Sequence, residues 1–130
     1  MAENLYSKIE EVRSDNLIAD SIVPVLVKGI TLEKGQGVLK RGTVLGIVTA
    51  TGLAKVVDSS KTDGTENADC ILADDVDTGD GSATTDFPAQ AYISGCFNRN
   101  ALIFGGTDTV EKHETRLREL GIFLKDNIAY

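Results

Sequence analysis

Apolar and polar positions follow different patterns on the two sides of residue 20. In residues 1–20, charged and apolar side chains are interspersed, and Leu5, Ile9 and Val12 recur at a spacing compatible with one face of a helix. Such a short, poorly capped helix is marginal in water. We therefore expect residues 1–20 to form a flexible N-terminal arm unless a partner binds it.

From Ser21 onward the pattern is that of one β-rich domain, residues 21–130. β-branched runs punctuated by glycine lie at residues 22–27, 43–50 and 54–57. Further plausible strands lie at residues 70–73 and 89–94, and polar loops at residues 59–67 and 78–86. Short β-rich runs with Gly at the bends predict a compact, sharply bent β structure.

One helix is predicted near the C-terminus, at about residues 108–120. Asp108 is a suitable N-cap, and Glu111 three residues later completes a pair resembling a capping box. Gly121 is a typical residue for ending a helix. The apolar side chains on one face of this helix are Val110, Leu117 and Leu120. The fold class is thus mainly β with one C-terminal helix.

Composition and charge narrow the range of partners. The chain has 130 residues, of which 42% are hydrophobic, and a net charge of −7, which describes a single small acidic domain. Because nucleic-acid binding rests on clustered Lys and Arg, we expect no nucleic-acid partner. The acidity is concentrated in residues 62–98, which contain eight acidic residues and no Lys or Arg.

This acidic stretch has two interpretations, a solvated loop region and a cation site. Residues 75–81 superficially resemble a calcium-binding loop. Counted from Asp75, however, the sixth position is Asp80 instead of the required Gly, and the twelfth is Asp86 instead of Glu. An acidic β-rich module that binds calcium or a protein through its central loops is therefore kept as the alternative function.

The sequence contains no pattern typical of a signal peptide or a membrane span. No basic segment precedes an apolar one at the N-terminus, so we expect no signal peptide. The longest apolar stretch, residues 22–27, contains Pro24 and is far too short to span a membrane, so no membrane partner is expected.

Cys70 and Cys96 lie in apolar segments, which favours reduced, buried thiols, and a disulfide between them is the alternative.

Catalytic chemistry finds no support in the residues. His113, the one histidine, lies at the spacing of the apolar stripe of the predicted helix, which indicates a packing or boundary residue. One His and two distant Cys do not form a zinc ligand set. Gly35, Gln36 and Gly37 lack the further glycine and helix of a phosphate loop. We predict a non-enzymatic binding or structural domain with no catalytic residues, metal or cofactor.

Five sequence blocks are distinctive enough to indicate a family, which the overall composition is not. They are DNLIA at 15–19, LKRGTVLG at 39–46, DCILADDV at 69–76, YISGCFNRNAL at 92–102 and LRELGIFLK at 117–125. In this order and spacing they resemble the head decoration proteins of tailed bacteriophages related to the lambda head protein D. The resemblance covers nearly the whole chain, and none of the blocks is a catalytic signature.

The resemblance implies a fold and a location. The expected fold is β-clip-like, with bent β ribbons and a helix. The expected assembly is a homotrimer on the outer surface of the mature phage head, at local three-fold positions, after synthesis in the host bacterial cytoplasm. There it would bind the major capsid protein and stabilise the capsid against the pressure of packaged DNA.

The resemblance also implies which residues make contacts. The expected capsid-binding residues of the arm are Leu5, Tyr6, Ile9 and Val12, with Leu17 and Ile18 at its root. The expected trimer contacts are Asn98, Arg99 and Asn100, where Arg99 would hold a carboxylate of the same or an adjacent subunit. The arm is a candidate for β-augmentation, in which an extended segment pairs with an exposed strand edge. Its helix-compatible spacing leaves a helical binding mode equally open.

Overall fold

A computed structural model describes residues 17–20, 24–82 and 84–125. Its strands are β1 (Ile18–Asp20), β2 (Leu26–Leu32), β3 (Val38–Leu39), β4 (Val44–Ile47), β5 (Ala54–Val56), β6 (Cys70–Leu72), β7 (Val76–Asp77), β8 (Phe87–Asn98) and β9 (Ile122–Lys125). A short 3₁₀-helix (Arg99–Ala101) follows β8, and the helix α1 (Val110–Leu120) precedes β9.

Five of the strands close into a ring. Their order is β8, β2, β5, β4 and β6, and β6 pairs again with β8. All of these pairings are antiparallel except that of β2 with β5, which is parallel and consists of Leu32 opposite Ala54. β3 and β7 form a separate two-stranded ribbon. Ring closure explains how strands as short as three residues form a stable sheet, because each gains a neighbour on both sides.

Side chains of the ring strands alternate between two hydrophobic clusters, since successive residues of a strand point to opposite faces. The inner cluster draws from all five ring strands and includes Leu32, Leu45, Ala54, Cys70, Leu72 and Ala91. The outer cluster combines ring residues with the elements that cover them and includes Leu17, Val44, Ile71, Tyr92, Phe97, Leu117 and Ile122. The outer cluster therefore joins the ring to β1, β9 and α1.

The long strand β8 connects these two parts of the molecule and changes partners near Gly95. Before that residue β8 pairs with β2 and β6, and after it Cys96 and Phe97 pair with β1. β9 runs parallel to the same end of β8. Gly95 has a φ of 144°, and a Cβ atom there would lie 2.9 Å from the Phe97 ring. Glycine is thus required where β8 leaves the ring.

The predicted mainly β fold with one C-terminal helix is confirmed. The predicted helix start is wrong by two residues, and Asp108 is not its cap. Thr109 occupies the N-cap position, and its side chain accepts no helix N–H. Asp108 does not cap the helix because its carboxylate binds other groups. At the other end Gly121 ends the helix as predicted, with a φ of 95°.

The strands differ from the predicted runs mainly at their ends. The run at residues 43–50 yields only β4, since Thr49 and Ala50 lie in a turn. β1 lies upstream of the predicted boundary at residue 20 and belongs to the sheet. Within the described ranges, no helix is long and apolar enough to cross a membrane.

Both cysteines are buried thiols that are not joined in a disulfide, as the sequence favoured. Burial is the main cause that raises the pKa of the Cys70 thiol, to about 12. A thiol with so high a pKa is protonated at neutral pH and therefore a poor nucleophile. Cys70 acts as a small apolar side chain of the inner cluster.

Candidate functional site

The expected arm root and the expected contact segment lie side by side at the C-terminal end of β8. The backbone N–H of Asn98 donates to the carbonyl oxygen of Leu17 over 2.8 Å, and Ile18 pairs with Phe97. Leu17 is only 1% exposed and belongs to the outer cluster, against which Ile18 packs. The chain before Leu17 is therefore attached directly to the folded core.

The four other expected arm residues, Leu5, Tyr6, Ile9 and Val12, lie outside the described residues. Their contacts with the capsid stay a prediction from sequence. The position from which they extend is nevertheless defined, because β1 is held on β8 by backbone pairing and by the buried Leu17 side chain.

The three expected trimer-contact residues form the turn after β8. Asn98 is buried, and its side-chain oxygen accepts the backbone N–H of Asn100 over 3.0 Å, which caps the 3₁₀-helix. Arg99 is half-buried and Asn100 is exposed. Of the three side chains, that of Asn100 is the one most accessible to a neighbouring molecule.

Arg99 binds an acid of its own chain. Its two terminal nitrogens donate to the Glu114 carboxylate on α1 over 2.8 and 3.3 Å, and Glu111 lies 3.9 Å away. A bidentate guanidinium–carboxylate pair fixes geometry as well as adding energy. This pair fastens α1 to the turn after β8. The sequence left open whether the partner of Arg99 lay in the same or an adjacent subunit, and Glu114 is a partner within the same chain.

Sequence reasoning did not single out Arg41, which connects three parts of the chain. Its guanidinium donates to the carbonyl oxygen of Ala73 over 2.8 Å and lies 5.3 Å from the centre of the Tyr92 ring. Its backbone N–H donates to the Asp75 carboxylate over 2.7 Å. The resembling blocks did contain the residues of this contact. Arg41 lies in block 39–46, Ala73 and Asp75 lie in block 69–76, and Tyr92 lies in block 92–102.

All five resembling blocks meet around β8 and its neighbours. Block 15–19 pairs with block 92–102 through Leu17 and Asn98, and block 117–125 supplies β9 beside the same strand. Blocks 39–46 and 69–76 join it through Arg41 and Tyr92. The most specific residues of the sequence therefore maintain one structural junction, which we call the β8 junction.

A polar network outside the β8 junction contains the one histidine. The His113 Nε2 atom lies 2.7 Å from Asp108 Oδ2, and both side chains are almost fully buried. The Ser59 backbone N–H and hydroxyl donate to the same carboxylate over 2.7 and 2.6 Å. The Phe104 ring stacks on His113 at 5.5 Å. His113 is thus a packing residue with a carboxylate partner.

This network does not have the geometry of a catalytic triad. A triad places the histidine between the serine and the acid, so that the histidine accepts the proton of the serine. Here the carboxylate of Asp108 lies between Ser59 and His113. The arrangement fastens the loop after β5 to α1 and does not activate the serine.

We predict that Asp108→Asn lowers the free energy of unfolding at pH 7 by about 1–3 kcal/mol, because it removes the charged acceptor that binds the buried His113 ring and the Ser59 backbone N–H and hydroxyl. Burial alone would raise the pKa of Asp108, but hydrogen bonds from Ser59 and His113 outweigh it and lower the pKa below 3.8. The stabilisation is present above that pH and is lost as pH falls through the folded-state pKa.

The measurement is denaturant unfolding between pH 2 and 7, with the exposed Asp74→Asn as a matched control. Asp108→Asn should show a weaker loss of stability between pH 4 and 2 than the wild type. Equal acid sensitivity of the two proteins would contradict the role given to Asp108.

The acidic stretch is partly neutralised by lysines from β2 and the following turns. Lys28 lies 3.0 Å from Asp69, and two longer pairs of 3.8 Å join Lys34 to Asp86 and Lys40 to Asp75. Exposed pairs of this kind contribute little stability, about 0–1 kcal/mol each. The pairs do show that residues 62–98 pack close to the segment that carries Lys28, Lys34 and Lys40.

The remaining acids of the calcium-like loop bind backbone groups. Asp77 accepts the N–H of Gly79, and Asp80 accepts the N–H and hydroxyl of Ser82. The hydroxyl of Ser82 is the main cause that lowers the pKa of Asp80. Within the described ranges, no group of three or more His, Cys, Asp or Glu could hold a metal ion. The calcium alternative thus gains no support from this loop.

Comparison with known proteins gives one family match. Residues 7–123 match the family model described as bacteriophage lambda head decoration protein D. No match was found among curated individual proteins.

Proposed function

The chain belongs to the bacteriophage lambda head decoration protein D family, and we propose that it forms homotrimers on the outside of the mature head. Family membership gives it a structural role in the phage capsid and a place in the virion. We further propose that the trimers occupy local three-fold positions, bind the major capsid protein and stabilise the shell against DNA pressure, without catalysis.

The observation that carries this proposal is the attachment of β1 to the β8 junction. Sixteen residues precede Leu17 in the sequence, and an extended segment of that length spans up to about 50 Å. Because Leu17 is buried and β1 is paired with β8, a pull on this segment would be transmitted to the long central strand. A segment attached in this way suits a protein that reinforces a shell.

Binding through the arm benefits from trimer formation. Ordering a flexible segment costs conformational entropy, so one arm would bind weakly. Three arms on one trimer act together, since the first contact raises the effective concentration of the others. In this proposal Leu5, Tyr6, Ile9 and Val12 contact capsid subunits, and the exposed Asn100 contributes to the contact between copies.

Charge supports the outer location. The chain carries a net charge of −7, and packaged DNA is a dense polyanion that repels acidic surfaces. A position on the outer surface separates the two by the thickness of the shell. The same acidity suits a protein that must stay soluble until heads are available.

Co-sedimentation with expanded, undecorated heads tests the proposed function. The full chain should bind saturably at about one copy per capsid subunit, and a chain lacking residues 1–16 should bind at least tenfold more weakly. The truncation stops before the buried Leu17, so circular dichroism should show an intact fold. Failure of the full chain to bind would overturn the proposal.

Substitutions within the arm give a finer test. Replacing Leu5, Ile9 and Val12 together by Ser should weaken binding at least tenfold, since burial of each apolar side chain contributes about 1.5–3 kcal/mol. Ser7→Ala in the same segment is the matched control and should bind like the wild type. Equal binding by the triple variant would exclude the apolar arm contacts.

A further inference from the structure

The chain contains two Asp–Gly dipeptides, Asp63–Gly64 and Asp80–Gly81, one in each of the polar loops. In such a dipeptide the glycine nitrogen can attack the side-chain carboxyl group of the aspartate before it, because glycine has no side chain to hinder the approach. The product is isoaspartate, a covalent change of the main chain. The two dipeptides are identical in sequence, so any difference in their reactivity must come from the fold.

The reaction consumes no oxidant or reductant, and water is its only co-reactant. The glycine nitrogen forms a bond to the aspartate Cγ atom, the Cγ–O bond of the protonated carboxyl group breaks, and one water molecule leaves. The resulting five-membered succinimide is then opened by water at the former main-chain carbonyl carbon, which becomes a free carboxylate. The main chain now runs through Cβ and Cγ, so the backbone is one carbon longer and the mass is unchanged.

The two carboxylates themselves are held in the same way. Asp63 Oδ1 accepts the backbone N–H and the hydroxyl of Thr65 over 3.0 and 2.5 Å. Asp80 Oδ1 accepts the same two groups of Ser82 over 2.8 and 2.6 Å. In both cases the hydroxyl is the main cause that lowers the pKa of the carboxyl group. The carboxyl groups therefore do not distinguish the two dipeptides.

The nitrogen of Gly64 is held and crowded. Its N–H donates to the Glu66 carboxylate over 2.8 Å, and the carbonyl oxygen of Asp63 accepts the N–H of Thr49 over 2.8 Å. Even a Cβ atom on Gly64 would collide with the carbonyl oxygen of Ile47. Closure of a succinimide rotates the peptide group between the two residues, and this loop leaves no space for that rotation unless it first opens locally.

The nitrogen of Gly81 has none of these restraints. Asp80 and Gly81 are both exposed, and a Cβ atom on Gly81 would meet no atom within 4 Å. Within the described ranges, no residue accepts a hydrogen bond from the Gly81 N–H. We propose that Asp80–Gly81 is a site of spontaneous isomerisation to isoaspartate, and that the fold protects Asp63–Gly64 from the same reaction.

Peptide mapping of the aged full chain tests the proposal. The folded protein is kept at 37 °C and pH 6, then digested, and electron-transfer fragmentation distinguishes isoaspartate from aspartate at each site. Conversion at Asp80 should be at least about tenfold faster than at Asp63, where reaction waits for local opening. In concentrated urea the two rates should become similar. Equal rates in the folded protein, or a difference that persists in urea, would overturn the proposal.

Gly81→Ala is the matched variant. Gly81 does not have a positive φ, and its surroundings leave room for a methyl group, so the melting temperature should stay unchanged. The added methyl group hinders the approach of the nitrogen, and conversion at Asp80 should fall at least about fivefold. Unchanged conversion at Asp80 in the folded variant would overturn attack by the Gly81 nitrogen.

Discussion

Gly64→Ala should lower the free energy of unfolding by about 3–5 kcal/mol, combining backbone strain at a positive φ with overpacking of a close contact. Gly64 has a φ of 112°, and a Cβ atom there would collide with the carbonyl oxygen of Ile47 and lie 2.9 Å from the Thr49 nitrogen. These atoms belong to the backbone at the end of β4 and immediately after it, and they have little room to move. For a domain of this size the melting temperature should fall by roughly 15 °C.

The control is Gly52→Ala, a glycine with a φ of 76° and no atom within 4 Å of the added Cβ. Gly52→Ala has the strain of a positive φ but no collision, so its free energy of unfolding should fall by only about 1 kcal/mol. Thermal unfolding of the three proteins at one concentration makes the comparison. Similar losses for the two variants would show that the loop at residues 59–67 is free to move away from β4, contrary to the packing described here.

Leu17→Ala should lower the free energy of unfolding by about 2–5 kcal/mol, the usual range for truncating a fully buried leucine. Leu17 is 1% exposed in the outer cluster, although it directly follows two polar residues, Asp15 and Asn16. The Leu17 side chain helps to hold β1 at the β8 junction. The variant protein should therefore also dissociate from decorated heads at a lower temperature than the wild-type protein does.

Val38→Ala provides the control for an exposed apolar side chain, with an expected change of no more than about 0.5 kcal/mol. Chemical denaturation measures the stability of both variants, and heating of decorated heads followed by sedimentation measures retention. A Leu17→Ala protein as stable as Val38→Ala would contradict the placement of Leu17 in the core.

Local patterns predicted the elements but not how they combine. β-branched runs and glycines indicated the strands, and Gly121 marked the end of α1. The ring closed by β8 was not predictable from one sequence, because β6 and β2 pair with β8 across long stretches of chain. The division of β8 into two parts depends on Gly95, which in the sequence is one of thirteen glycines.

The contacts of individual site residues also depended on tertiary packing that local sequence patterns do not predict. Asp108 satisfied the local rule for an N-cap, yet a buried carboxylate gains more from Ser59 and His113 than from the end of a helix. Arg99 was identified as a pairing residue, but its partner Glu114 required knowledge of how α1 packs. Leu17 was expected at the root of the arm, and its burial became visible only through the pairing of β1 with β8.

Electron cryomicroscopy of expanded heads incubated with the full chain tests the central claim most directly. We expect added density on the outer surface, in groups of three at the local three-fold positions. That density should fit the β-rich domain with its β1 end directed toward the shell. Added density at the inner surface or at capsomer centres, or no added density at saturating protein, would contradict the proposed position of the trimers.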